Sequence, residues 1–473
     1  MVEVRRLLVV VLAAGCVSAL TAFQQSPASP RPVGSPVALV GGTLIDGTGA
    51  APVLNSVVLI RGERIERIGT TESVTIGPEF EQVSTEGMTV LPGLWDLHVH
   101  LMYGGHPNGR FWFDTYTSQF EGVTIPASAR QMLMAGVTSV RDLGAPPGIV
   151  NVKKRIASGE LPGPTVYVAG PVLSKGAGAS ASPHVWNVNG ADDARAKTSQ
   201  LIESGVDWIK LMNAEQWSLD ELRAVVDEAH RRGRKVAAHA FSEAEIRQGL
   251  AAGVDDFQHL RTQTPEYPAD LMASIRARAG TGRPLYWTVT VGGNGQLNAA
   301  YLASNPEYLE DPGNFIGMPP AMEDEVRKAI AARTGGPGRA GGRAGGGPGR
   351  GGRGAPPQSQ AEIDAIVKRK VAQLREAGVE LVFGTDIGSW GEVTSQAGWM
   401  EADLWVRELG MEPMAVIRRM TLDAARLMDA DRDSGSVTVG KYADVIAVRG
   451  DPLRDIDVLR DPRVVIKHGR RYK

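Results

Sequence analysis

Six residues combine a reactive side chain with a placement that could do chemistry: His98, His100, Lys210, His239, His259 and Asp386. His98-x-His100 closes the run Leu94–Val99, which reads as a strand. Residues two apart on a strand point to the same side. His98 and His100 therefore project together and can chelate one metal through neutral imidazole nitrogens, and Asp96 projects the same way. The chain has eight histidines, and at that frequency chance produces such a pair in roughly one chain in ten, so the context has to carry the reading. The context is repetition. His239 ends Val236-Ala237-Ala238, His259 ends Asp256-Phe257-Gln258, Asp386 follows Leu381–Thr385, and Lys210 lies in Asp207–Leu211. Polar side chains at the carboxyl ends of apolar strands sit where a (β/α)8 barrel keeps its active site.

The elements that must position these residues alternate. Strands are expected at Leu94–Val99, Thr138–Arg141, Thr165–Ala169, Trp208–Met212, Lys235–Ala240, Asp256–His259, Leu285–Val289 and Glu380–Gly384. Between them run helices with clear signals. Ser218-x-x-Glu221 is a capping box, Leu222, Val225, Val226 and Ala229 recur at helical spacing, and Gly233 stops the helix. Ser242-x-x-Glu245 and Gly253 repeat the pattern. Repeated strand–helix units mean a parallel sheet, which alternation alone leaves either closed into a barrel or open and doubly wound. The interval from Lys210 to His239 and that from His239 to His259 each span one unit. The interval from His259 to Asp386 is too long for two units of about 30–40 residues. The surplus is the stretch 335–357, which is nearly all Gly, Arg, Ala and Pro with no acidic residue and is expected to be a disordered surface insert. The six residues then fall on strands 1, 4, 5, 6 and 8.

Outside this region the style changes. Residues 37–90 carry short β-branched runs, Val37–Val40, Ser56–Ile60 and Ile65–Ile68, with turns expected at Gly41-Gly42 and Arg61-Gly62-Glu63. Residues 426–473 return to that style at Val445–Val448 and Val464–Ile466. The two ends are expected to pair into one β-sandwich flanking a barrel over 91–425. Residues 1–22 have the basic start, the apolar run Leu7–Ala14 and the small residues of a secretory leader. Cys16, the only cysteine, stands where a lipoprotein signal would be lipidated. Residues 23–36 read as a flexible spacer. This predicts an exported protein, periplasmic or extracellular, whose membrane link is at most an N-terminal lipid anchor. The folded part has no disulfide and no thiolate metal site. With a formal net charge of −2 no global field points to nucleic acid. A small-molecule substrate and a homo-oligomer are the expected partners.

Taken together, Leu91-Pro-Gly-Leu-Trp-Asp-Leu-His-Val-His100, Gly136-Val-Thr-Ser-Val-Arg-Asp142, Gly205-Val-Asp-Trp-Ile-Lys210, Lys235-Val-Ala-Ala-His239 and Gly384-Thr-Asp386 resemble the amidohydrolase superfamily, closest to its imidazolonepropionase-like members, which include Xaa-Pro dipeptidases. Gly435–Asp444 and Gly450-Asp-Pro452 are similar to that family's return into its β-sandwich. The resemblance runs from about Val37 to Gly469. It implies an α/β (β/α)8 TIM barrel with a small β-sandwich domain. It also implies two divalent metal ions, best suited by zinc, with His98 and His100 on the first and His239 and His259 on the second. Lys210 would be carboxylated and bridge them, since an ammonium has no lone pair to give. Asp386 would be both ligand and general acid/base. The implied reaction is cleavage of an amide or peptide-like C–N bond, of dipeptide or N-acyl amino acid type, by a hydroxide held between the metals.

The chain departs from that pattern after strands 3 and 4, which continue as Ser174–His184 and Met212–Trp217. His184, Lys175 and Trp217 are candidate substrate residues there. His106 and His230 read as loop and helix-face residues, and His468 lies far from the site. A cyclic amide or lactone is the alternative substrate class, because the same hydroxide attacks cyclic carbonyls. A non-catalytic metal-binding surface lipoprotein is the alternative outside catalysis, and the presence of all six ligand-type residues speaks against it.

Overall fold

The computed structural model describes residues 36–176, 182–260, 264–292, 310–334, 360–388, 393–395 and 397–473. The leader with Cys16, the spacer up to residue 35 and the insert at 335–357 lie outside the described residues.

The amino-terminal segment forms β1 (Val37–Leu44), β2 (Val53–Arg61), β3 (Arg64–Thr70), β4 (Glu81–Ser84) and β5 (Met88–Pro92). The chain then enters the strand–helix region with β6 (Leu94–Val99), β7 (Val137–Asp142), β8 (Thr165–Val168), β9 (Val172–Ser174) and β10 (Val185–Asn187). It continues with β11 (Trp208–Leu211), β12 (Lys235–His239), β13 (Asp256–Gln258), β14 (Tyr286–Val289) and β15 (Glu380–Phe383). It ends in β16 (Val445–Arg449), β17 (Pro462–Lys467) and β18 (Arg470–Arg471).

The two chain ends do pair, through an antiparallel ladder of β5 and β16 with Val445 opposite Pro92. They build one eight-stranded sheet in the order β18-β17-β16-β5-β1-β2-β3, with β4 also on β1. Separate apolar clusters are associated with it, one around Leu39, Val58, Val90, Val445 and Ile466 and one around Ala38, Val57, Leu59 and Phe80. Gly41-Gly42 is not a turn. The strand β1 runs straight through it with a register shift, pairing its first half with β4 and its second half with β5. Gly41 takes φ +93°, a conformation a side chain resists. Gly42 lies so close to Thr85 that a Cβ would stand 2.8 Å from its Oγ1. The glycine pair is therefore a bulge that re-aims the strand between two partners.

All eight strands expected from the alternation are present, and their ladders are parallel. They lie in two sheets, β6-β7-β8 and β10-β9-β11-β12-β13-β14-β15. Every residue of β6, β7, β11 and β13 is buried, as parallel strands covered on both faces require. The sheets meet where Val99 bridges Ile387. There the Asp386 amide donates to the His98 carbonyl at 2.7 Å and the His100 amide to the Ile387 carbonyl at 2.9 Å. Among the described residues no ladder joins β8 to β9, and the hydrogen-bonded sheet is not closed there. The three-residue strands β9 and β10 were not apparent in the sequence, being too short to show a period. Both expected capping boxes form, on the helices Leu219–Arg231 and Glu243–Ala252. At the opposite end of the strands from the site, Leu427 and its helix Leu422–Leu427 pack against Trp95, Leu97, Trp208 and Val382.

Candidate metal centre

The register of the parallel strands brings the six residues to one end. Lys210 on β11 is level with Ala237 of β12. His239, the last residue of β12, is level with Gln258, so His259 follows directly beside it. Asp386 stands three residues past β15 and is drawn in by its bond to the His98 carbonyl.

Asp386 is the hub. Its Oδ1 lies 3.3 Å from His98 Nε2 and 3.3 Å from His100 Nε2, and its Oδ2 lies 3.9 Å from His259 Nδ1. One ligand atom each from His98, His259 and Asp386 fits within 4.8 Å of the others. The rings adjoin in sequence, with centroids 5.3 Å apart for His98 and His100, 4.7 Å for His98 and His259, and 4.9 Å for His239 and His259. His100 Nδ1–H donates to the Gly144 carbonyl at 3.1 Å, which fixes the ring so that Nε2 faces Asp386. His259 Nδ1 bonds Thr290 Oγ1 at 2.8 Å, which fixes that ring as well. His259 and Asp386 both adopt positive φ, 70° and 62°. Non-glycine residues resist that region, and such strain is retained mainly at functional sites.

The site's ionisation follows from burial and neighbours. Burial, with Lys210 and the other histidines adding to it, holds His98 and His239 well below the usual imidazole range. Burial brings His259 to about 3 against the pull of Asp386. Burial pushes His100 down, but the hydrogen bond and charge of Asp386, with Asp142 and the Gly144 carbonyl, together outweigh it, and its pKa rises. Burial pushes Asp386 up, but His259, His100 and Lys210 outweigh it and hold it below the carboxylate range. Burial brings Lys210 down to about 7, although Asp386 opposes it. His98, His239 and His259 are thus held neutral beside an ionised Asp386, the protonation states that metal ligation requires.

The donor set fits a metal. Among the described residues, the wholly buried His98 has no hydrogen-bond partner on either ring nitrogen, and Lys210 Nζ has none. An orphaned buried polar atom costs about 1–3 kcal/mol, a cost that a bound metal would remove here. Three sequence candidates are placed differently. Asp96 lies outside the ligand group; it accepts from Thr385 Oγ1 at 2.6 Å and from the Thr385 and His98 amides, and so ties β6 to the residue before Asp386. Lys175 Nζ is 2.6 Å from both oxygens of Glu221, which already serves the helix cap. Trp217 is buried in the core and donates to the Met212 carbonyl at 3.1 Å. His184 stays near the site, stacked on Phe113 at 4.7 Å and edge-on to Tyr103 at 6.2 Å. Burial brings it to about 3, with His100 adding to the shift.

A profile of the amidohydrolase family matches residues 89–274 and 360–471. The chain belongs to the amidohydrolase family. This amidohydrolase is 25% identical to ochratoxinase from Aspergillus niger over 482 residues, covering 92% of this chain and 86% of that one. A solved Xaa-Pro dipeptidase with bound methionine in its active site superposes with a TM-score of 0.68 at 23% identity, over 93% of this chain and 100% of the other. Molinate hydrolase superposes with a TM-score of 0.69 at 22% identity, over 93% and 95%. The family makes the protein a hydrolase of C–N bonds.

Two groups at the amidohydrolase site escaped the sequence reading. Tyr103 and Phe241 flank the histidines, at 5.8 Å from His100 and 4.6 Å from His259; both sit in loops, where no period marks them. Arg141 lies wholly buried among the strands. It donates to the Leu97 carbonyl at 2.8 Å, to Asp256 at 2.6 Å and to Thr288 at 3.1 Å. Its signal was available: a charged residue inside the strand Val137–Asp142 needs a partner if that strand is buried.

Proposed function

We propose that this protein hydrolyses an amide or peptide-like C–N bond, of dipeptide or N-acyl amino acid type, with divalent metal bound by His98, His100, Lys210, His239, His259 and Asp386. The observation that carries the proposal is the convergence of ligand-type side chains on Asp386 while His98 and Lys210 keep buried nitrogens unpaired. The bound metal, best suited by zinc, supplies Lewis acidity and a water acidic enough to attack at neutral pH. The chain's own residues do the rest. Asp386 is ionised, is fixed by the hydrogen bond that its backbone N–H donates to the His98 carbonyl, and accepts the proton of the attacking water. It then returns that proton to the leaving nitrogen. His98, His239 and His259 stay neutral and so remain ligands. Lys210, brought to about 7 by burial, presents a neutral amine that can add carbon dioxide, releasing one proton and becoming an anion that would help hold the metal. The same proposal treats the two parallel sheets as one (β/α)8 barrel, supported by the eight strands in order and the Val99–Ile387 bridge. It also treats residues 1–22 as the leader of an exported enzyme.

The test is hydrolysis of a panel of dipeptides, N-acyl amino acids and lactones. Activity is expected to disappear on chelation and to return with zinc or another divalent ion. Asp386→Asn is expected to lower kcat by about 10³-fold with an unchanged circular dichroism spectrum. A folded, metal-loaded protein that cleaves no member of the panel refutes the proposal.

A further inference from the structure

Five rings adjoin one after another across the candidate metal centre: Tyr103, His100, His98, His259 and Phe241, with successive centroids 5.8, 5.3, 4.7 and 4.6 Å apart. The two ends differ. Tyr103 is backed by other rings, edge-on to Phe113 at 5.3 Å, with His184 stacked on Phe113 behind it. Phe241 has one face laid on His259, the planes only 6° apart, and the ring is 46% exposed. It is also edge-on to His239, at 4.9 Å and 88°.

A single exposed phenylalanine means little by itself. Here the ring is built in. The Phe241 amide donates to Glu245 Oε2 at 2.8 Å, and the Ser242 amide donates to the same oxygen at 2.9 Å. Glu245 is itself locked into the capping box of the helix Glu243–Ala252. The backbone under the ring is thus fixed at a helix start, and the ring's orientation is fixed by parallel stacking on His259. A rigid, half-covered aromatic face beside the reacting centre has lost its conformational freedom before any ligand arrives, which makes it an effective contact surface. Aromatic faces favour offset stacking with planar partners over contact with saturated groups of equal bulk.

Resting on the amide-hydrolase reading above, we infer that Phe241 is a substrate platform that selects amides carrying a planar aromatic group next to the scissile bond. Two matched pairs test this: N-benzoyl-L-alanine against N-cyclohexanecarbonyl-L-alanine on the acyl side, and N-acetyl-L-phenylalanine against N-acetyl-L-cyclohexylalanine on the amine side. Each pair differs in planarity and little in size. In the wild-type protein at least one pair is expected to show a kcat/KM preference of about fivefold for the aromatic member. Phe241→Leu keeps apolar cover on His259 and is expected to bring that ratio close to one. Damage to folding or to metal binding lowers both members together and leaves the ratio in place, so the ratio isolates the platform. Affinity for the same four compounds is read in parallel by calorimetry on both proteins. If the wild type cleaves none of them yet binds the aromatic members more tightly, and Phe241→Leu removes that difference, the platform stands and the reading of N-acyl amino acids as substrates fails. Equal handling of both members by the wild type, or a ratio unchanged in Phe241→Leu, overturns the inference.

Discussion

Arg141→Met is expected to destabilise the protein by about 3–5 kcal/mol, the loss typical when one member of a buried ion pair is removed. The structure shows why the value falls there. Arg141 and Asp256 are both fully buried, with Nη2 2.6 Å from Oδ2. Without the guanidinium, Asp256 keeps only the Thr288 amide at 3.1 Å and the Thr288 hydroxyl at 2.9 Å, which satisfy hydrogen bonds but not charge. The guanidinium also sits 4.3 Å above the Trp208 ring and holds the Leu97 carbonyl, one residue before His98. In urea, followed by tryptophan fluorescence, the midpoint is expected to fall by on the order of 1 M. Arg141→Met with Asp256→Asn removes the stranded charge and is expected to recover more than half of the lost stability. Metal affinity is expected to behave differently. Both variants lose the Leu97 tether, so both are expected to bind metal about 10–100-fold more weakly. A single variant within about 1 kcal/mol of wild type, or a double variant no more stable than the single, refutes the charge argument.

Gly388→Ala is expected to weaken metal binding and lower the melting temperature, because a Cβ there would lie 2.2 Å from the His100 carbonyl at a backbone φ of +107°; metal content after dialysis and a thermal melt check it. Glu401 gives a pH dependence. It accepts from the Val291 and Gly292 amides and from Trp405 Nε1, and burial raises it from 4.5 to about 8. The folded state then holds a proton that the unfolded state has released, so this residue's contribution to stability falls as pH rises from about 4.5 to about 8. Glu401→Gln is expected to flatten that slope, measured as the wild-type-minus-variant difference in unfolding free energy at pH 5 and pH 8; a difference that does not change with pH refutes the assignment.

The eight strands, and the placement of the six candidate residues at their carboxyl ends, were readable in the sequence, because each rests on local rules. Side chains two apart share a face of a strand, capping boxes mark helix starts, and strand–helix spacing exposes an insertion by its surplus. The pairing of the two chain ends was legible for the same reason, since β-branched runs at both termini need partners. What the strand order places in contact was not legible. Asp96 projects with His98 in the sequence, yet β6 lies beside the residues after β15, so its carboxylate is spent on Thr385 rather than on the ligand group. Lys175 looked available until Glu221, 46 residues away, took its charge. The strained backbone of His259 and Asp386, the stacking of Phe241 on His259 and the Arg141–Asp256 pair all depend on which strand ends lie side by side. Chain chemistry and periodicity determine which residues can act. Only long-range packing decides which of those side chains are left unpaired and facing one another.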